Sequence, residues 1–490
     1  MSDGLQVILR KAGAIGVATM MVVTLSAIAV IKADNSKGKQ VVSGNAAGSS
    51  GGLSTGSEQA QAGTNEAQGA GQTAGAAAGA ATGSAAAAGP AAGAAKKTAG
   101  AAGAAAGGQC ADYNPNIGVF CDHTLVGGTT VLSGPLAVYG DQGLKGGLAW
   151  LTYFNTVVAP REHIRQAKLI WYDDSLDPQK TLAYVQRLHD VDKVLFLAGV
   201  TSPEAISSYL QATKFPMIGD IGLSPKSWAN RYIFPTTPSD STRDSIRIKV
   251  AADRFHIKTF SVIQDFLPSV DTGPYKEAWK KAAERSGTQQ LDYVEISSTG
   301  SDCSAQFNRI IQGKPEYIIL PTASGAMLAC LREANKFQVR PGTSGSPWLK
   351  GWSGGSNLQI EVDSCKPTCE GMYSIGTVFN DPRTSNTPEM QTYRANMAKY
   401  APNVDITSSI AINYYHAGWL AYNLEKQGNI LSNLTRENLV NAAEHFGPFD
   451  TGFGNTVQWT TQVPREPWTC GYPVVVRGDH WVFDSQKYCL

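Results

Sequence analysis

KVLFLAGVTSPEAISSYLQATKFPMIGDIGLSP, residues 193–225, runs an apolar strand into a loop of Thr201, Ser202 and Pro203, then a helix, then a second strand ending in another Ser-Pro loop at Ser224 and Pro225. That order is a βα unit of a parallel sheet. Thr201, Ser202, Pro203 and Glu204 read as a capping box, T-x-x-E, with proline in the first helical turn. Amides and hydroxyls would then converge at a helix N-terminus. In an open α/β sheet this end lies beyond the carboxyl ends of the strands, where ligands bind. The plainer reading is an ordinary pair of helix caps.

From residue 129 onward, apolar runs alternate with amphipathic stretches at helical spacing. Strands are expected at 129–132, 168–172, 194–198, 216–220, 260–263, 293–296, 317–320, 348–350 and 373–378. Helices are expected at 136–155, 178–189, 203–213, 242–255, 274–286, 303–312, 325–337, 388–400, 408–425 and 436–445. Residues 457–483 read instead as short strands with turns at Pro464 and Gly478. So many βα units exceed one sheet. The sequence therefore predicts an α/β fold of two doubly wound, Rossmann-like lobes.

The first 110 positions do not read as a domain. Residues 12–31 form an uncharged run flanked by Arg10, Lys11 and Lys32. It is about 20 residues long, as a membrane-spanning helix requires. A secretory signal is the other reading, with Ala27 and Ala29 as an A-x-A cleavage pattern, although the apolar run is long for one. Residues 33–109 are almost wholly Gly, Ala, Ser, Thr, Gln and Asn and cannot build a core. They read as a disordered linker, with a root-mean-square span of about 50 Å if flexible. Segment 1–32 is thus expected to be a membrane anchor or signal and 33–109 a linker.

All eight cysteines, Cys110, Cys121, Cys303, Cys330, Cys365, Cys369, Cys470 and Cys489, lie beyond the apolar run, and an even count there suits an oxidising, extracytoplasmic compartment. The sequence does not fix their pairing, and nearest neighbours are the expected partners. Zinc is the rival, but no pair has C-x-x-C spacing and no histidine pair sits at ligand distance. No cofactor is implied. With 41 Lys and Arg against 40 Asp and Glu, and no basic run interleaved with aromatics, the composition gives no support for a nucleic-acid partner.

Three stretches carry a family resemblance. Residues 132–140 (LSGPLAVYG) followed by 143–149 (GLKGGLA) form the first, and 301–307 (SDCSAQF) the second. Residues 315–321 (PEYIILP) with 327–335 (MLACLREAN) form the third. In order and spacing they resemble the leucine/isoleucine/valine-type solute-binding proteins of ABC transporters, which have a type I periplasmic-binding fold. The resemblance covers residue 129 to the C-terminus. It implies two lobes joined by a three-segment hinge, with crossings near Ser239, Cys369 and Asn455. Lobe I would take 110–240 and 370–455, and lobe II 241–369 with the C-terminal strands of 456–490. A small-molecule ligand would bind in the cleft, and an ABC permease would be the partner. The implied pocket draws on Ser133, Tyr139, Thr201, Ser202, Leu223 and Ser224 in lobe I. From lobe II it draws on the loop of Asp271 and Tyr275, on Ala323 and Ser324, and on Trp352. Amino-acid binders of this family place an acidic residue where this chain has Trp352, which favours an apolar or aromatic acid over a zwitterion. Core packing is the plainer reading of that tryptophan. No lipobox cysteine follows the apolar run, so a membrane helix would replace a lipid anchor.

Two other functions fit parts of the chain. Residues 351–355 (GWSGG) match G-x-S-x-G, with Ser353 as nucleophile and Asp363, Asp381, Asp450, His416, His445 and His480 downstream, the order of a serine hydrolase. The stretch after it is a poor helix, and glycine and serine are frequent enough for a chance match. The tether also suits a ligand-sensing or surface-assembly module. His163, His189 and His256 read as solvated or capping residues, and Tyr414, Tyr415, Trp419 and Tyr422 as a core-facing stripe.

Overall fold

The computed structural model describes residues 39–42 and 110–490, apart from 135, 220–228, 267–271, 323, 377–379 and 466–467. The anchor-or-signal reading of 1–32 falls outside these. Among the described residues no helix is long and apolar enough to cross a membrane.

The first sheet contains β1 (Lys39–Val42), β2 (His123–Thr130), β3 (Gln166–Asp173), β4 (Phe196–Leu197), β5 (Met217–Ile218) and β6 (Ile233–Phe234), in the order β1-β3-β2-β4-β5-β6. β2 to β6 pair in parallel, whereas β1, four residues inside the stretch read as linker, lies antiparallel on the free edge of β3. The second sheet is built from β7 (Thr259–Phe266), β8 (Gln289–Ser297), β9 (Tyr317–Ile319), β10 (Gly351–Ser353) and β11 (Tyr373–Gly376), which are parallel. Outside both sheets, β12 (Phe449–Asp450) and β13 (Thr456–Val457) make a small antiparallel ribbon. Antiparallel β14 (Cys470–Arg477), β15 (His480–Phe483) and β16 (Tyr488–Cys489) complete the second sheet. Each parallel sheet is covered by helices, as buried parallel strands require.

The helices are α1 (Ala137–Tyr153), α2 (Pro178–Asp190), α3 (Pro203–Thr213), α4 (Asp240–Phe255), α5 (Gly273–Ser286), α6 (Ser304–Gln312), α7 (Ser324–Lys336), α8 (Gln359–Cys365), α9 (Pro388–Tyr400), α10 (Ser409–Gln427) and α11 (Arg436–Ala443). α1 continues through a π-helical turn, Phe154–Val158, into a last short turn, Ala159–Glu162. Several starts follow local capping chemistry. Asp177, Ser239, Thr387, Ser408 and Thr435 each accept a backbone N–H of the first turn, and proline follows two of them at Pro178 and Pro388. His163 and His256 close helical segments in the left-handed conformation. In the 143–149 motif, Gly146 permits the crossing of α1 and α10, because a Cβ there would overlap the carbonyl oxygen of Ala411.

The chain crosses between the lobes three times, but two crossings differ from expectation. β11 pairs with β10 and β14 in the second sheet, so the second crossing follows Gly376 rather than Cys369. Val457, Trp459 and Trp468 pack in the first lobe's core, so the third crossing lies just before Cys470 rather than at Asn455. Sequence patterning missed both because strand-like runs do not reveal which sheet they join. β10 also sits later than expected. The 348–350 run is held in a turn in which Leu349 N–H bonds the carbonyl of Ser346, and pairing with β9 begins at Gly351.

Cysteine sulfurs join as Cys110–Cys121, Cys303–Cys330, Cys365–Cys369 and Cys470–Cys489. Mass measurement after alkylation under denaturing, non-reducing conditions should therefore find no labelled cysteine in the mature protein. Labelling of any pair would remove that disulfide from the native fold.

Candidate functional site

A cavity of about 240 Å³ lies between the lobes, at the carboxyl ends of both sets of parallel strands. Its first-lobe wall comes from the end of β2 at Thr130, the start of α1 at Tyr139, the start of α3 at Thr201 and Glu204, and the start of α10 at Ser409, Asn413 and Tyr414. This is the position that an open α/β sheet gives to a ligand. The Thr201 side chain does not close the expected capping box. Its hydroxyl donates to the buried carboxylate of Asp174, and α3 starts at Ser202 without a side-chain cap. Thr129 and Thr181 donate to the same carboxylate at 2.7 and 3.0 Å. Asp174 outcompetes the local cap because a buried carboxylate must collect donors.

The second-lobe wall is more charged. Asp240, Arg243, Asp244 and Arg247 follow one another at helical spacing on α4 and all line the cavity. Arg243 pairs with Asp240, and Arg247 with Asp244 at 3.3 Å. Burial pushes the Asp244 carboxyl up to about 6; Arg247 and Arg243 oppose the shift, and Asp265 adds to it. Asp265 is itself fixed by Thr322, whose backbone N–H and hydroxyl donate to it at 3.0 and 3.1 Å. Tyr275 also faces the cavity, and its hydroxyl is held well above the usual phenol range by burial and then by the charges of Glu204 and Asp265.

Hydrogen bonds bridge the lobes at the cavity's edge. Tyr139 donates to Glu361 at 3.2 Å, and Ser409 donates to the carbonyl of Ser356 at 2.6 Å. Glu361 is fully buried and also accepts the backbone N–H groups of Ser356 and Leu358. Three further second-lobe atoms of cavity-lining residues, Arg247 Nε, Ser298 Oγ and Asn357 Oδ1, are buried without a hydrogen-bond partner among the described residues.

Of the residues the sequence singled out, Tyr139, Thr201 and Tyr275 come together in the cavity. Ser202 is buried beside Thr201 but is not part of the wall, and Ser133 is exposed and bonded to Ser175 at 2.8 Å. Leu223, Ser224, Asp271 and Ala323 lie outside the described residues, and Ser324 is described only as the first residue of α7. Trp352 is not in the cleft. It is the middle residue of β10, fully buried in the second lobe's core, so it cannot select an apolar or aromatic acid. Ser353 ends the same strand, fully buried, and among the described residues no histidine hydrogen-bonds it, so the hydrolase constellation does not form. The α4 charges were missed because a charged stripe on a helix ordinarily faces water. Tyr414, part of the expected core-facing stripe, packs in the core and also lines the cavity.

A family profile described as periplasmic binding protein matches residues 125–480. No curated protein is similar enough in sequence to match. Among solved structures, a leucine-binding protein from Thermotoga maritima is 14% identical, with a TM-score of 0.61, over 74% of this chain and 98% of its own. A fatty acid ABC transporter substrate-binding protein from Thermomonospora curvata is 18% identical, with a TM-score of 0.64, over 76% of this chain and 94% of its own. A solute-binding protein of an ABC transporter from R. palustris, in complex with 4-hydroxybenzoate, is 17% identical, with a TM-score of 0.60, over 75% and 97%. At these identities the likeness is one of fold.

Replacing Trp352 with alanine should cost about 3–5 kcal/mol of stability, the range for truncating a large buried aromatic. Denaturant unfolding measures this. Unchanged stability with altered ligand affinity would return Trp352 to the site.

Proposed function

The chain belongs to the periplasmic binding protein family, whose members bind solutes without catalysing a reaction, and on that premise we propose that it captures a small polar or carboxylate-bearing molecule in the interlobe cleft for ABC-type uptake. The observation that carries this reading is the trio of polar atoms, Arg247 Nε, Ser298 Oγ and Asn357 Oδ1, that have no partner among the described residues on one wall of the cleft. Buried donors and acceptors left alone are costly, and a ligand with matching groups relieves that cost. Arg247 supplies a cationic donor for a carboxylate, stacked near the ring of Trp279 at 6.0 Å. Ser298 and Asn357 then discriminate the polar groups around it.

The protein acts on the extracytoplasmic face in this reading, with the apolar run at 12–31 as anchor and the Gly/Ala-rich stretch as leash. The four disulfides suit that compartment. A permease in the same membrane would receive the ligand.

A thermal-shift screen of carboxylates, amino acids, short amides and aromatic acids on the full chain tests the proposal. A ligand at about 100 times its dissociation constant adds about 2.7 kcal/mol of stability. A panel in which no class shifts the melting temperature would sink it. For the ligand found, Ser298→Ala should weaken binding about two- to tenfold, the worth of one neutral hydrogen bond. The free variant should melt no lower than the parent protein, since the hydroxyl removed has no partner among the described residues.

The sign of the ligand's charge can be read from pH. Below about 6 Asp244 is neutral and Arg247 and Arg243 dominate its surroundings; above it the new negative charge, beside Asp265, offsets them. A carboxylate ligand should therefore bind more weakly as pH rises through about 6, measured by calorimetry in matched buffers. The opposite trend would assign the ligand a cationic group.

A further inference from the structure

The first lobe holds a second cavity, of about 100 Å³ and, like the cleft, partly open to solvent, between its sheet and the helices α1 and α10. Leu169 and Trp171 line it from alternate positions of β3, hence from one face of the sheet. Gly147, Trp150 and Phe154 line it from the opposite side, Phe154 being the first residue of the π-helical turn. Such turns recur at binding sites. Along α10 the lining runs from Tyr414, shared with the cleft, through Gly418 and Ala421 to Glu425. Three turns separate its ends, about 16 Å of helix rise. The cavity is thus a slot running along α10, and Gly418 makes room for the Trp150 ring that forms part of its wall.

Its walls are apolar, with polar groups at each end. Trp171 packs against Tyr414 at one end, 5.9 Å between ring centroids. Arg165 and Glu425 line the other. Trp171 Nε1 and Arg165 Nε are both buried without a hydrogen-bond partner among the described residues. The remaining nitrogens of Arg165 are engaged by Asp112 at 2.8 Å and by the carbonyl of Leu431 at 3.0 Å, so its charge is already neutralised. Burial pushes the Glu425 carboxyl up to about 8, against the pull of Arg165. An oily slot with unsatisfied N–H donors, whose one cation is already paired with Asp112, fits a neutral acceptor better than an ion.

We propose that this slot is a second binding site, distinct from the cleft, for a slender, uncharged apolar molecule bearing one hydroxyl or carbonyl oxygen that accepts from Arg165 Nε. The site does not depend on the identity of the cleft ligand.

The test is titration of the full chain with 1-hexanol, followed by melting temperature and tryptophan emission, since Trp150 and Trp171 both line the slot. Alcohols lower melting temperatures in proportion to concentration, so a saturable rise on that background marks a site. A saturable rise is expected for the parent protein and unchanged for Ser298→Ala in the cleft. Ala421→Leu, which fills the slot, should abolish it. Gly147→Ala should weaken it several-fold without loss of stability, because the added Cβ makes only ordinary contacts, the nearest at 3.6 Å to Tyr414. Gly147→Ala decides the matter even if the leucine variant fails to fold. No saturable change in the parent protein would mean that the slot holds only water and would overturn the proposal. An identical response in Gly147→Ala would overturn it too.

Discussion

The first lobe's face toward the cleft is organised around one buried carboxylate. Asp174 is fully buried and collects the hydroxyls of Thr129, Thr181 and Thr201 together with the backbone N–H of Leu176. A carboxylate in that position without donors would cost several kcal/mol, and four donors convert the cost into a fixed geometry. The donors come from the end of β2, the turn after β3, the second turn of α2 and the entry to α3. Those elements are thereby tied to one point at the carboxyl edge of the first sheet. Thr130, Leu176, Thr201 and Glu204 reach the cleft wall because that point is fixed.

The second lobe uses carboxylates in the same way, at its own strand ends. Asp265 holds the loop after β9 through Thr322, and Glu361 gathers the amides of the loop after β10. In each case an acidic side chain satisfies backbone N–H groups that a sharp exit from a parallel sheet leaves unpaired. Glu361 also accepts from Tyr139 across the cleft, so one carboxylate shapes a loop and joins the lobes. The α4 stripe differs, since its acids and bases pair with each other and keep the wall nearly neutral while leaving Arg247 Nε available.

Much of the architecture was readable from patterning. The bounds of α2, α3 and α9 follow from an N-terminal proline and an apolar period, and the chemistry of Asp177 and Thr387 sets the start of α2 and α9. What patterning could not supply was anything that depends on a distant partner. Thr201 looked like a cap because its neighbours fit one, and only Asp174, 27 residues away, redirects it. Trp352 reads as a loop residue if the apolar 348–350 run is the strand, whereas pairing with β9 places it mid-strand. Residues 456–468 read as second-lobe strands, yet their aromatic side chains fill the first lobe's core. The charges of α4 carried a usable signal, four ionisable residues on one face directly after a crossing, but nothing local says that this face meets a cleft.

The third crossing has a mechanical meaning. Trp468 is seated in the core of one lobe, and Cys470 is bonded to Cys489 in the sheet of the other, leaving Thr469 alone between two anchorages. The other two connections, before Asp240 and after Gly376, are several residues long. The chain thus passes from one core to the other sheet through a single residue, with no slack to take up between the two anchorages. Reduction of Cys470–Cys489 would loosen the second-lobe side of that passage.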